Sequence, residues 1–283
     1  MQAPRTRPFT RSRIVMSHGA GSPVSSHVPT TSPARSTGAI RQFSAGGILG
    51  VWAAATVPMA LGAWVVAPAL HDGILKHQPL GVSLLVALTA GLIWQFVLAY
   101  GLVAWEQQTL SWRPILGAMW VQRPVDQSTG KRGGRLWLWA VAFALLFGLL
   151  SILPIDFAAP KARDLAHFLA SDQGRATLKG AWDLFALIVA LAVFNTVLGE
   201  ELLFRGVLLP RMSGVFKRRD WIANAVLFGV YHVHQPWSIP SGIVSGMLFA
   251  YPTRRFRCVW MGVIEHSMQS LLIVGIVLAL TLR

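Results

Sequence analysis

Cysteine is nearly absent: Cys258 is the one thiol in 283 residues. An intramolecular disulfide and a zinc cage built from thiolates are therefore excluded, and nothing calls for an oxidising compartment. Charge is also scarce, at 13% of residues against 54% hydrophobic. That balance excludes an ordinary soluble enzyme, because several apolar runs approach the ~20 residues with which a helix crosses the hydrocarbon core. Acid is scarcer than base, 11 residues against 25, for a net charge of +14. The basic run Gly130-Lys-Arg-Gly-Gly-Arg135 lacks Walker spacing and a following Ser or Thr, so it reads as a charged turn and not a phosphate loop. No inverted repeat with paired broken helices is visible, which counts against a proton-coupled transporter.

What is present is a succession of apolar runs, at about 46–70, 80–105, 136–155, 182–209, 221–234, 239–251 and 258–282. They predict an all-α, polytopic transmembrane helical bundle of about seven spans. The fifth and sixth runs are short and interrupted by Pro236 and Pro240, so they are expected to line a cavity. The transmembrane domain is expected over 45–283. Residues 1–44, rich in Ser, Thr and Pro and carrying Arg5, Arg7, Arg11, Arg13, Arg35 and Arg41 without an acid, read as a disordered basic tail. The first apolar run exceeds the roughly 7–15 residues of a signal-peptide core and reads as a retained span.

Lys and Arg concentrate in alternate loops: Arg113, Arg123, Lys131, Arg132 and Arg135; then Arg211, Lys217, Arg218 and Arg219; then Arg254, Arg255 and Arg257. Cytoplasmic loops are the ones enriched in such residues. The pattern predicts a cytoplasmic N-terminus in a membrane such as the bacterial inner membrane. It also accounts for the net charge with the lipid bilayer as partner and no nucleic acid. No oligomeric state follows from the sequence.

Ionised groups inside an apolar run are costly, about 2.5–3.5 kcal/mol each on insertion scales, so they normally face protein or a wet cavity. Glu200, Glu201 and Arg205 occupy such a run. At ~1.5 Å of rise per residue, Glu200 lies ~15 Å from the cytosolic end of its run at Pro210, His232 ~18 Å from Asp220 and His266 ~14 Å from Arg257. Three groups from three helices thus reach one depth. Glu201 and Arg205 share a helix face and can pair, either as a neutralised structural pair or as part of a site. Glu200 is turned away by about 100° and is free to act as a general base. Taken alone, His232 is as compatible with a hydrogen-bonded core residue. Glu265 can orient His266, pair with an arginine or face a wet cavity. His234 and the tryptophans read as interfacial. Gly242 and Gly246 mark close helix packing without identifying a dimer.

These residues carry a resemblance. Glu200-Glu201-x-x-x-Arg205, Phe228-x-x-x-His232 and His266-x-x-x-Ser270 resemble the three motifs of the CPBP family of intramembrane proteases, which process CAAX proteins and bacteriocins and are also called Abi. The first two motifs match in full, whereas Ser270 stands where that family usually has Asn or Asp. The resemblance places a protease core at about 180–280. It implies an endopeptidase that hydrolyses a peptide bond of a membrane-associated protein or peptide, delivered from the cytosolic side. Glu200 is then the base, His232 its partner in activating water, and His266 with Ser270 the donors to the oxyanion.

The same family has been described as metalloproteases, and Glu200, His232 and His266 resemble a three-ligand zinc set. A metal-free glutamate mechanism uses the same residues and is preferred here, since Glu200 cannot readily be ligand and base together. A zinc site would draw on Glu201 or Glu265. The competing class is a non-proteolytic membrane scaffold or bacteriocin self-immunity protein, which the change at Ser270 favours.

Overall fold

The structure, a computed structural model, describes residues 40–283. Most of the expected basic tail lies outside the described residues. Its last residues are held: the Phe43 N–H donates to the Arg211 carbonyl at 2.9 Å, and Gln42 Oε1 accepts from the Ser213 hydroxyl at 2.8 Å and the Gly214 N–H at 2.9 Å. Residues just before 45 are therefore bound to the segment 211–214. Ser44 Oγ caps the first helix by accepting from the Gly47 N–H at 3.1 Å.

Every apolar run is a helix. In chain order these are α1 (Ala45–Asp72), α2 (Leu80–Gln107), α3 (Trp137–Leu150), α4 (Trp182–Arg211), α5 (Asp220–Tyr231), α6 (Ile239–Phe256) and α7 (Trp260–Thr281). The only strand-like pairing among the described residues is an isolated bridge between Val125 and Arg132. It closes the 126–131 turn; Gly130 within that turn and Gly133 just after the bridge adopt φ of 70° and 66°, which glycine enters without steric cost. The protein is all-α and an integral membrane protein.

Of the seven spans expected, α1, α2, α4 and α7 are long and apolar enough to cross a bilayer. α3 ends at Leu150, short of the apolar run, because Pro154 disfavours helix in the residues before it. α5 has only 12 residues, and α6 carries Arg254 and Arg255 in its last turn. Pro240 lies in the first turn of α6, where its missing N–H costs nothing, so it starts this helix instead of breaking one.

α5 and α6 pack backbone to backbone. A Cβ on Gly242 would lie 3.2 Å from the Gly229 Cα, and one on Gly246 would lie 3.1 Å from the Ala225 Cα. The small-residue spacing thus serves an intramolecular contact, as expected where lipid offers no hydrophobic drive and close approach supplies the attraction. Asp220 at the start of α5 pairs with Arg254 near the end of α6.

The segments bearing most of the arginines gather at one end of the bundle. The Val125 N–H donates to the Phe256 carbonyl at 2.9 Å, Gln122 donates to the Arg257 carbonyl at 2.9 Å, and Arg255 lies 3.6 Å from Asp126. The Ser128 hydroxyl and N–H donate to Asp126 and hold its exposed carboxyl below the usual range. Arg211, which the sequence assigns to a loop, is buried: it binds the Glu106 carboxylate at 2.6 and 2.8 Å and donates to the Val207 carbonyl at 3.0 Å. It joins the end of α2 to the end of α4. Three of the expected anchor tryptophans also bind across helices, Trp52 to the Leu227 carbonyl, Trp64 to that of Val233 and Trp94 to that of Ala54.

Candidate active site

α4 is not a regular helix where its charges lie. It widens into π-helical turns at Phe194–Gly199 and Leu202–Leu208, a distortion frequent at functional sites. Gly199 is required there, since a Cβ would come within 3.0 Å of the Leu92 carbonyl on α2. The expected pair survives this distortion: Arg205 Nη1 lies 3.2 Å from Glu201 Oε1, with both side chains wholly buried. The guanidinium is not angled for a hydrogen bond. Its carbon lies 4.0 Å from the centroid of the Phe228 ring and 5.3 Å from that of Phe249, so aromatic faces supply part of its surroundings.

Glu201 also receives His266. The imidazole Nδ1 is 3.1 Å from the same Oε1. Because a carboxylate only accepts, Nδ1 carries the proton and Nε2 of the neutral ring is an acceptor. The Asn195 amide nitrogen lies 3.3 Å from Nε2. His266 is thus fixed at both nitrogens, and donation by it to an oxyanion requires the imidazolium form. α7 approaches α4 this closely because residue 262 is glycine: a Cβ there would collide with Glu201 Oε2.

Glu200 is 2% exposed and accepts from the Tyr231 hydroxyl at 3.0 Å, which in turn accepts from Gln95 Nε2 at 2.6 Å. A three-member chain across α2, α5 and α4 therefore fixes the carboxylate. His232 follows Tyr231 at the end of α5, with Nδ1 2.8 Å from the Phe228 carbonyl. That contact protonates Nδ1 and leaves Nε2 unprotonated. His234, expected at the interface, is buried instead, stacked on His232 with ring centroids 5.3 Å apart. The 3₁₀ turn His232–His234 brings it back against the bundle. Glu265 is fully buried, and neither of its oxygens has a hydrogen-bond partner among the described residues.

Two cavities meet at this constellation. The larger, about 810 Å³, is lined by Asn195, Glu200, His232, His234, His266 and Ser270, then by apolar side chains of α2, α4 and α7. It reaches the connections around Lys76 and His77, between α1 and α2, and around Lys161 and Gln173, between α3 and α4, at the end of the bundle opposite the Arg-rich segments. The smaller, about 200 Å³, lies between α3, α6 and α7 and carries Ser151, Ser238, Ser241 and Ser245. His232, Gln235, His266 and Gln269 line both. Ser270 thus shares the large cavity with Glu200.

The donors do not fit a zinc ion held by three protein ligands. Both His266 nitrogens are engaged, and Glu200 Oε1 is taken by Tyr231. Among the described residues no three His, Cys, Asp or Glu side chains are grouped to hold a metal.

Sequence reasoning missed Asn195, Tyr231 and Gln95. Tyr231 adjoins a motif histidine, and Asn195 lies five residues before Glu200 in an apolar run, the kind of isolated polar residue that warrants attention.

Residues 181–272 match the family model described as Type II CAAX prenyl endopeptidase Rce1-like. That segment holds Glu200, Glu201, Arg205, Phe228, His232, His266 and Ser270, and the resemblance drawn from their motifs is supported by the match. Neither the curated proteins nor the solved structures yield a match.

Proposed function

We propose, from the match of residues 181–272 to that family model and the motifs they carry, that the protein is a metal-free endopeptidase in which Glu200 and His232 activate water. The observation that carries the reading is the meeting of a buried, positioned carboxylate with two imidazoles from other helices on the wall of one cavity. Glu200 takes a proton from water as the water oxygen bonds to the scissile carbonyl carbon. His232 Nε2 accepts a hydrogen bond from the same water and orients it. Collapse of the tetrahedral intermediate breaks the C–N bond, and the proton held by Glu200 passes to the departing amine.

Glu201 positions His266, Arg205 pairs with Glu201, and neither touches substrate. Glu201 keeps the imidazole in one tautomer, as a carboxylate does when it orients a catalytic histidine.

The substrate is a peptide or protein at the membrane, and the large cavity is its route. With Arg-rich segments cytoplasmic, and the N-terminus with them, the cavity mouth at Lys76 and Lys161 faces away from the cytoplasm. Cytosolic delivery and a cytosolic N-terminus thus pull apart. We keep the charge-based orientation and propose entry from the far side. Cys258 is buried and donates to the Gln122 carbonyl, so Cys258→Ser gives a thiol-free background. In it, Lys76→Cys should react with a membrane-impermeant maleimide on intact bacterial cells and Lys131→Cys only after lysis. The reverse pattern restores cytosolic delivery.

Activity is tested in a deletion strain carrying wild type, Glu200→Ala or His232→Ala, by comparing the termini of membrane proteins. At least one new terminus should depend on wild type and vanish in both variants. Unchanged termini, with full complementation by both variants, would establish the scaffold or immunity reading.

A further inference from the structure

Hydrolysis of a peptide bond places negative charge on the carbonyl oxygen, and the largest stabilisation comes from donors already aimed where that charge develops. Few donors border the cavity beside Glu200. The Tyr231 O–H is committed to Glu200 Oε1. His266 Nε2 is an acceptor in the tautomer that Glu201 imposes. Ser270 presents a hydroxyl that makes no hydrogen bond among the described residues, while Gln269 is exposed. Neither of the last two is held in place by a partner.

Asn195 differs on each count. Its amide nitrogen carries two N–H groups, and one is directed at His266 Nε2 at 3.3 Å. That contact fixes the amide plane and leaves the second N–H to point elsewhere. The residue lines the same cavity as Glu200, His232 and Ser270. It also lies in the π-helical turn Phe194–Gly199, one widened turn ahead of Glu200, so the base and this donor leave the same helix.

We propose that Asn195 is the oxyanion donor of this protein, supplying from α4 the side-chain amide that Ser270 does not supply from α7. The proposal rests on the protease reading and adds a catalytic residue to it. It also explains how the serine at 270 is compatible with an active enzyme: His266 is approached by an amide from the opposite wall, and the oxyanion is held between that amide and the Ser270 hydroxyl.

The test uses the full-length protein in its host and the terminus whose appearance depends on Glu200. Its rate of appearance is followed by pulse-chase and normalised to folded protein in the membrane. Asn195→Asp, nearly isosteric and without the N–H pair, should slow cleavage about 100-fold or more, as removal of one such donor does. Asn195→Ala should do the same. Ser270→Asn placed in the Asn195→Ala chain should restore at least tenfold of the loss, because residue 270 shares a helix face with His266 and lines the same cavity.

A merely structural asparagine would not respond to a residue added on another helix. Wild-type cleavage by both Asn195 variants, with Glu200→Ala inert, overturns the proposal and leaves the protease reading standing. So does a loss that Ser270→Asn fails to restore in chains folded to wild-type levels. If Asn195→Ala does not fold, Asn195→Asp with and without Ser270→Asn decides by the same criteria. If no terminus depends on Glu200, the protease reading falls and this proposal with it.

Discussion

α4 carries two buried arginines six residues apart, Arg211 paired with Glu106 on α2 and Arg205 paired with Glu201 on the same helix, and the two pairs are built differently. Arg211 is fully used: two nitrogens bind Glu106, and another donates to the Val207 carbonyl. Arg205 meets Glu201 at 3.2 Å without hydrogen-bond alignment and rests against the Phe228 ring, while Glu201 is shared with His266 and Glu265 lies buried without a partner among the described residues. The first pair behaves as a clamp between helix ends. The second leaves polar capacity unspent around a cavity. Unsatisfied buried groups are expensive, and proteins retain them chiefly where chemistry requires them.

The comparison breaks most sharply by neutralising both members of each pair. Glu201→Gln with Arg205→Met should leave a folded protein that makes none of the Glu200-dependent terminus, because His266 loses its orienting carboxylate. Glu106→Gln with Arg211→Met should cleave at close to the wild-type rate per folded molecule. Equal losses in the two double variants would show that both pairs are structural. Next in size, Arg211→Met alone strands the Glu106 carboxylate and should cost about 3–5 kcal/mol of stability, read as lower thermal resistance in detergent with the cleavage rate per folded molecule unchanged.

Gly262→Ala tests the active-site side of the comparison without touching a charge. The added methyl presses on Glu201, and overpacking of this kind costs about 1–3 kcal/mol. Cleavage should fall about tenfold or more while Glu106 and Arg211 remain paired. Tyr231→Phe removes one hydrogen bond to Glu200, worth about 1.5–3 kcal/mol when its acceptor is charged, and should slow cleavage without preventing insertion. Smallest of all, Gln42→Ala loosens the segment before α1 at about 1 kcal/mol and should leave cleavage unaltered, since the Gln42 side chain bonds to Ile40, to Pro210 at the end of α4 and to the turn after it, away from the cavity.

Much of this arrangement is legible in the residues themselves. An apolar run long enough to span lipid has little choice but helix, so seven runs become seven helices with ends displaced by a few residues. The pairing of Glu201 with Arg205 is local, four residues along one helix. Depth counting at a nearly constant helix rise puts Glu200, His232 and His266 at one level, and all three line one cavity. What was not legible depends on rotation and tilt between helices: Tyr231 and Gln95 meet only because α5 and α2 face each other across α4. His234 is buried because a 3₁₀ turn redirects the chain. Arg211 reads as a loop charge until Glu106 is brought beside it.

The sequence by itself determined the membrane class and the helices and nominated most of the groups proposed to carry chemistry, since each follows from hydropathy or from spacing along one helix. Tertiary structure alone decided which carboxylate and which amide meet the two nitrogens of His266, and at which end of the bundle the cavity opens. Those features arise between side chains far apart in the chain, where close packing and directional hydrogen bonds select one geometry among many that the same residues permit.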